Sequence, residues 1–158
     1  MSSQYINREQ VETLLRSLVS IKSPYFLEDE VMGFVNDWFN KNGLESRIHE
    51  FYEPLVTKFH GKNVVGVIDS GKPGPSIYLS GHLDTVNLCN GWTKPPFEGI
   101  VEGDYMYGVG ALDMKAGVCA IMLATADFVK THGKDFKGRI VFQMESDEEG
   151  PYGLGMVS

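Results

Sequence analysis

Apolar positions near the start of the chain recur at helical spacing. Val11, Leu14, Leu15, Leu18 and Val19 fall on one side of a helical period, with Arg8, Glu9, Glu12 and Arg16 on the other. The pattern predicts an amphipathic helix that ends near Ser23-Pro24. Leu27, Val31, Phe34, Val35, Trp38 and Phe39 repeat it, and Asn42-Gly43 supplies a stop. The period then changes. Arg47 to Phe51 alternates like an exposed or edge strand, and Asn63 to Ile68 and Ser76 to Leu79 are short β-type runs. Asp69-Ser70-Gly71-Lys72-Pro73-Gly74 between them is turn chemistry. Residues 87–107, with Trp92, Pro95, Pro96, Gly99 and Gly103, read as a long connection with a hairpin around Gly103-Asp104. Lys115 to Lys130 is a strongly apolar helix, and Arg139 to Met144 a buried type of strand. Helices, strands, helix and strand in this order predict an α/β fold with a layered sheet.

Composition narrows the class. The chain has 158 residues, 42% of them apolar, 11% aromatic and 22% charged, as expected of one globular domain. A net charge of −7 argues against nucleic acid or an anionic membrane as the main partner. Two cysteines, Cys89 and Cys119, make no disulfide framework, and the start shows no basic-then-apolar leader pattern. The uncharged run Gly117 to Ala126 is too short to span a bilayer. The expectation is an acidic, soluble, cytoplasmic domain.

Three clusters carry candidate chemistry, each at the end of an expected strand or hairpin, where open α/β sheets bind ligands. In Ser80-Gly81-His82-Leu83-Asp84-Thr85-Val86 an extended backbone points His82 and Asp84 to the same side. That pair suits a metal-bound imidazole steadied by a carboxylate, or equally a satisfied histidine beside a turn-forming aspartate. Gly108 to Gly117 is not a dinucleotide fingerprint, because Asp113 stands where the third glycine belongs. Nor is it a phosphate-binding loop, because Lys115 lies between Met114 and Ala116 rather than before Ser or Thr. What remains is a glycine-permitted turn carrying Asp113 into a helix, where it is either a site residue or the helix N-cap. The third cluster, Glu145-Ser146-Asp147-Glu148-Glu149, packs four carboxylates into five residues. Gathered at a sheet rim, such charges repel unless a cation neutralises them. One imidazole and several carboxylates are the donors of an open, hydrolytic site for zinc or a similar ion.

SGHLDTV, YGVGALDMKAG and ESDEEG, in this order, together with Gly91-Trp92 and Pro96-Phe97, resemble the catalytic domain of the M20 family of dinuclear metallohydrolases. That family holds acetylornithine deacetylase, succinyl-diaminopimelate desuccinylase and carboxypeptidase-like enzymes. The resemblance implies a layered α/β/α zinc-peptidase-like domain with a mixed sheet. Residues 1–158 would be its N-terminal part, incomplete at the C-terminus and without the second lid and dimerisation domain. It implies that His82, Asp113 and Glu149 are metal ligands, with Asp113 bridging two divalent ions and followed by a cis peptide bond. Zinc is the expected metal, with cobalt or manganese as substitutes. Asp84 would support His82, and Glu148 would be the general base. The substrate would be a small N-acyl amino acid or short peptide, and the full-length parent a homodimer. Two further ligands, an acidic residue and a histidine, are expected beyond Glu149, and the segment from Gly150 to Ser158 contains neither. His49, His60 and His132 match no family position. Two other readings of the 158 residues are a catalytically incompetent fragment with at most one weak metal site, and a metal-free α/β binding module.

Overall fold

The first helix forms where its apolar stripe and its cap agree. In a computed structural model describing residues 6–157, α1 spans Arg8–Ser20 and buries Leu14, Leu15, Leu18 and Val19. The Asn7 side chain accepts the Gln10 N–H at 2.9 Å, and the Gln10 side chain accepts the Asn7 N–H at 2.9 Å. This reciprocal pair satisfies two amides that a helix start leaves unpaired. Helix α2, Asp29–Lys41, buries Val31, Met32, Val35 and Phe39. It ends as Asn42-Gly43 predicts. Gly43 takes φ 76°, and the Gly43 and Leu44 amides donate back to Asn40 and Phe39 carbonyls. Leu27 does not join the apolar face. It precedes the helix and is 68% exposed, because the chain turns at Phe26 with φ 71°.

The strands are β1 (Ser46–Tyr52), β2 (His60–Asp69) and β3 (Ser76–His82), followed by the hairpin β4 (Ile100–Glu102) and β5 (Tyr105–Tyr107). A wide π turn, Ala111–Lys115, leads into α3 (Ala116–His132), and β6 is Arg139–Glu145. The four-stranded sheet runs β1-β2-β6-β3, with β3 parallel to β6 and the other pairs antiparallel. It is the mixed sheet expected, with β1 at an edge. Strand β3 runs three residues further than its apolar run suggests, so His82 is its last residue and pairs with Glu145.

Register explains the core. Val64, Gly66 and Ile68 of β2 stand opposite Met144, Phe142 and Ile140 of β6, which stand opposite Gly81, Leu79 and Ile77 of β3. These side chains share one face, and the helices pack there. Phe142 is fully buried and stacks on Phe39 of α2 with ring centroids 4.3 Å apart. Gly66 leaves room for that ring, which a Cβ would strike. On the other face Val67 and Tyr78 are about half exposed, and among the described residues helices lie on one face only. No described helix is long and apolar enough to cross a membrane.

The hairpin turns at Gly103 with φ 61°, and Arg8 of α1 holds it by donating to Asp104 Oδ1 at 2.8 Å and to the Gly103 carbonyl. Helix α3 starts one residue later than its sequence suggests, and Asp113 is not its N-cap. Asp113 lies inside the π turn with φ −121° and ψ 103°, and the Asp113–Met114 peptide bond is cis.

Candidate metal centre

Parallel pairing of β3 with β6 sets the first and third clusters side by side at the C-terminal ends of both strands. The π turn brings the second cluster over them. His82 is 5% exposed, and its two nitrogens face different surroundings. Nδ1 lies 3.1 Å from the Asp84 main-chain oxygen and 3.4 Å from Asp84 Oδ1. Both partners are acceptors, so Nδ1 carries the hydrogen and the tautomer follows from the partners. Nε2 then lies 3.2 Å from Asp113 Oδ1 and 3.7 Å from Glu148 Oε2. A bare imidazole nitrogen facing carboxylate oxygens repels them unless a cation stands between.

In the metal-free chain a proton serves that purpose. Burial would push the His82 pKa down, but the hydrogen bond and charge of Asp84, then Asp113, outweigh it and raise it from 6.5 to about 9. A divalent ion would occupy the same place. His82, Asp113 and Glu149 each present a donor atom within 4.8 Å of the others, and this is the one such cluster among the described residues. The donor set fits a metal of the zinc type. Glu149 is raised by burial and then by the Asp113 charge, with His82 opposing. Asp113 is 76% exposed, so its carboxylate is free to meet a ligand.

Asp84 joins two clusters. It is fully buried, faces His82, and accepts the Glu149 N–H on Oδ2 at 2.7 Å. Its Oδ1 lies 3.4 Å from His82 Nδ1. Gly110, at φ 71°, joins the second cluster to the first, because a Cβ there would meet the Thr85 methyl at 2.5 Å. A cleft of about 430 Å³ opens beside Asp113 and Glu149, walled by Thr85, Val86, Leu88, Trp92 and Leu112. The other histidines lie elsewhere: His60 stacks on Tyr52, His132 packs on Phe128, and His49 is half-buried on β1.

Sequence patterns did not reveal three supporting residues. Asn63 of β2 accepts the Ser146 N–H at 3.1 Å and donates to the Gly155 carbonyl at 2.9 Å. A polar residue at the head of the apolar run Val64 to Ile68 was the available signal. Lys115 is buried although it opens an apolar helix, and burial lowers its pKa from 10.5 to about 8 against the attraction of Asp84. Glu28, 3% exposed at the start of α2, accepts the Asp147 N–H at 3.0 Å and so steadies the turn that carries Glu148 and Glu149. Nothing local marks it.

Burial raises the Glu28 pKa from 4.5 to about 7, against backbone hydrogen bonds that lower it. Between those values the folded chain holds a proton that the unfolded chain has released. Stability therefore falls as pH rises through that window, and the cost is complete above it. Glu28→Gln keeps an acceptor for Asp147 and removes the titration. Its thermal midpoint relative to wild type, measured without metal, is expected to be higher at about pH 8 than at about pH 5. An equal difference at both pH values would show that Glu28 titrates normally.

Residues 78–158 match the family described as Peptidase family M20/M25/M40. Succinyl-diaminopimelate desuccinylase of Methylorubrum extorquens (strain PA1) is 34% identical over 146 residues, covering 91% of this chain and 37% of that protein. Human carnosine dipeptidase 1 superposes with a TM-score of 0.75 at 23% identity, over 94% of this chain and 34% of that one. An M20 family metallo-carboxypeptidase from Sulfolobus solfataricus gives a TM-score of 0.74 at 20% identity, over 90% and 32%. The chain thus spans about a third of the length of these proteins.

Proposed function

From the premise that this chain belongs to peptidase family M20/M25/M40, we propose that it supplies the front of the catalytic domain of a metal-dependent amide hydrolase. The substrate is a small N-acyl amino acid or a short peptide. The observation that carries this reading is the meeting of His82 Nε2 with the carboxylates of Asp113 and Glu149 at one spot, where the donor atoms would suit a divalent ion. His82, Asp113 and Glu149 would hold divalent ions, with Asp113 shared between two. Zinc suits one imidazole with carboxylate oxygens, and cobalt or manganese would also be held. Bound ions of this kind polarise an amide carbonyl and make water acidic enough to lose a proton near neutral pH.

The side chains divide the remaining work. Glu148 Oε2 lies 3.7 Å from His82 Nε2, beside the three ligand residues, and its side chain is 40% exposed. It takes a proton from the attacking water and returns it to the leaving nitrogen, so it ends each cycle as it began. Asp84 fixes the ring and tautomer of His82 and, through the Glu149 amide, the position of that ligand. The open cleft admits the substrate beside Asp113 and Glu149. The remaining ligands, the second domain and a homodimer belong to the full-length protein in this reading.

The test is reconstitution of the full-length protein. After chelation it is expected to lose hydrolysis of N-acyl amino acids or dipeptides, and to regain it with two equivalents of zinc, cobalt or manganese per chain. Undiminished turnover with no bound metal would overturn the proposal. Failure to bind any divalent ion would favour the metal-free binding module.

A further inference from the structure

Lys115 stands two residues after Asp113, yet its side chain runs away from the candidate ligands into the core. It is 1% exposed. Its ammonium donates to the main-chain oxygens of Leu18 and Ile21, both at 2.8 Å. No Asp or Glu lies within ion-pair distance of it among the described residues. Burying a cation without a carboxylate is costly, so what it does there has to offset that cost.

Its acceptors indicate what that is. Leu18 and Ile21 form the C-terminal end of α1, where unpaired carbonyls concentrate negative charge. Helix α1 has no basic residue in its own last turn, and Lys115 supplies the missing cation from about a hundred residues away. At its other end Lys115 is equally tied down. Its backbone N–H donates to the Gly110 carbonyl at 2.9 Å and closes the π turn. Gly110 in turn packs on Thr85, and Gly108 leaves no room for a Cβ beside Val19 of α1. The Asp113 side chain is 76% exposed and meets the buried His82 Nε2 at 3.2 Å, so the backbone that aims it there depends on these two ends of the turn.

We propose that Lys115 is a positioning residue: by fastening the π turn to the end of α1, it aims the Asp113 carboxylate at the place shared with His82 and Glu149. This rests on the reading of Asp113 as a metal ligand. A residue that holds a ligand in place contributes about 10–100-fold to metal affinity.

The experiment compares full-length wild type with Lys115→Met, Lys115→Arg and Asp113→Asn. Lys115→Met keeps the length and packing of the side chain and removes its charge and donors. Cobalt binding is measured by calorimetry and by the visible absorption of the bound ion, at a temperature where circular dichroism shows the variants folded. Lys115→Met is expected to bind cobalt about 10–100-fold more weakly than wild type and to change the absorption band, with Lys115→Arg intermediate. Asp113→Asn is expected to lose more. Wild-type affinity and an unchanged band in Lys115→Met, with only a lower melting temperature, would overturn the proposal and leave Lys115 a structural residue. If Lys115→Met does not fold, Lys115→Arg decides, since a displaced cation must still shift the band. Undiminished binding in Asp113→Asn would instead overturn the ligand reading beneath it.

Discussion

Replacing Glu148 by alanine is expected to lower kcat of the full-length protein by about 10²–10⁴-fold while leaving metal content nearly intact. The expectation follows from the division of the two adjacent acids. Glu149 belongs to the set of donor atoms of His82, Asp113 and Glu149 lying within 4.8 Å of one another, and Glu148, though its Oε2 lies 3.7 Å from His82 Nε2, does not. A carboxylate beside the reacting water but not needed to hold the ions is placed to accept a proton. KM should change little, because the interaction lost is made in the transition state. Steady-state kinetics together with metal analysis of the same sample check this. Loss of both ions in Glu148→Ala, with turnover surviving in Glu149→Ala, would mean that the two roles are reversed.

The second large effect is on stability. Phe142→Ala is expected to cost about 3–5 kcal/mol, read as a fall in the urea midpoint at unchanged slope. Phe142 lies at the centre of the sheet, fully buried, with Phe39 stacked on one side and Gly66 leaving space on the other. Truncation would open a cavity that neighbouring strands, fixed by register on both sides, cannot collapse to fill. A domain of this size is stable by only about 5–15 kcal/mol, so the loss is a large share of the total. A midpoint within experimental error of wild type would show that the core repacks around the gap.

The sequence and the structure agree most closely where local rules decide. Helix α2 and its end could be read from the apolar spacing and Asn42-Gly43, because the signals lie within a few residues of the structure they specify. The strands of the sheet and the hairpin at Gly103 were legible for the same reason. His82, Asp84, Asp113, Glu148 and Glu149 were identifiable as candidates, and the fold brings all five together. The turn that carries Asp113 was harder. The residues left Asp113 either a site residue or the helix N-cap, whereas it takes extended backbone inside a π turn that Lys115 closes. Glu28, Asn63 and Lys115 remained hidden because each acts on a partner far away in sequence. Glu28 meets Asp147, Asn63 meets Ser146 and Lys115 meets Leu18, so their meaning exists only after the sheet and helices have assembled.

Strand β6 has a consequence for the order in which the molecule can be made. Among the described strands it comes last in sequence but lies inside the sheet, between β2 and β3. Until it is present, the β1–β2 pair and β3 have no hydrogen bonds to one another, and they emerge during synthesis as separate pieces. The loop after His82 and the acidic turn after Glu145 therefore meet only when β6 enters the gap between strands. Contacts this distant in sequence form slowly, since the intervening chain must be ordered first. On the proposed reading of the site, an ion in solution would find no finished site on the growing chain, and capture of metal would come after closure of the sheet.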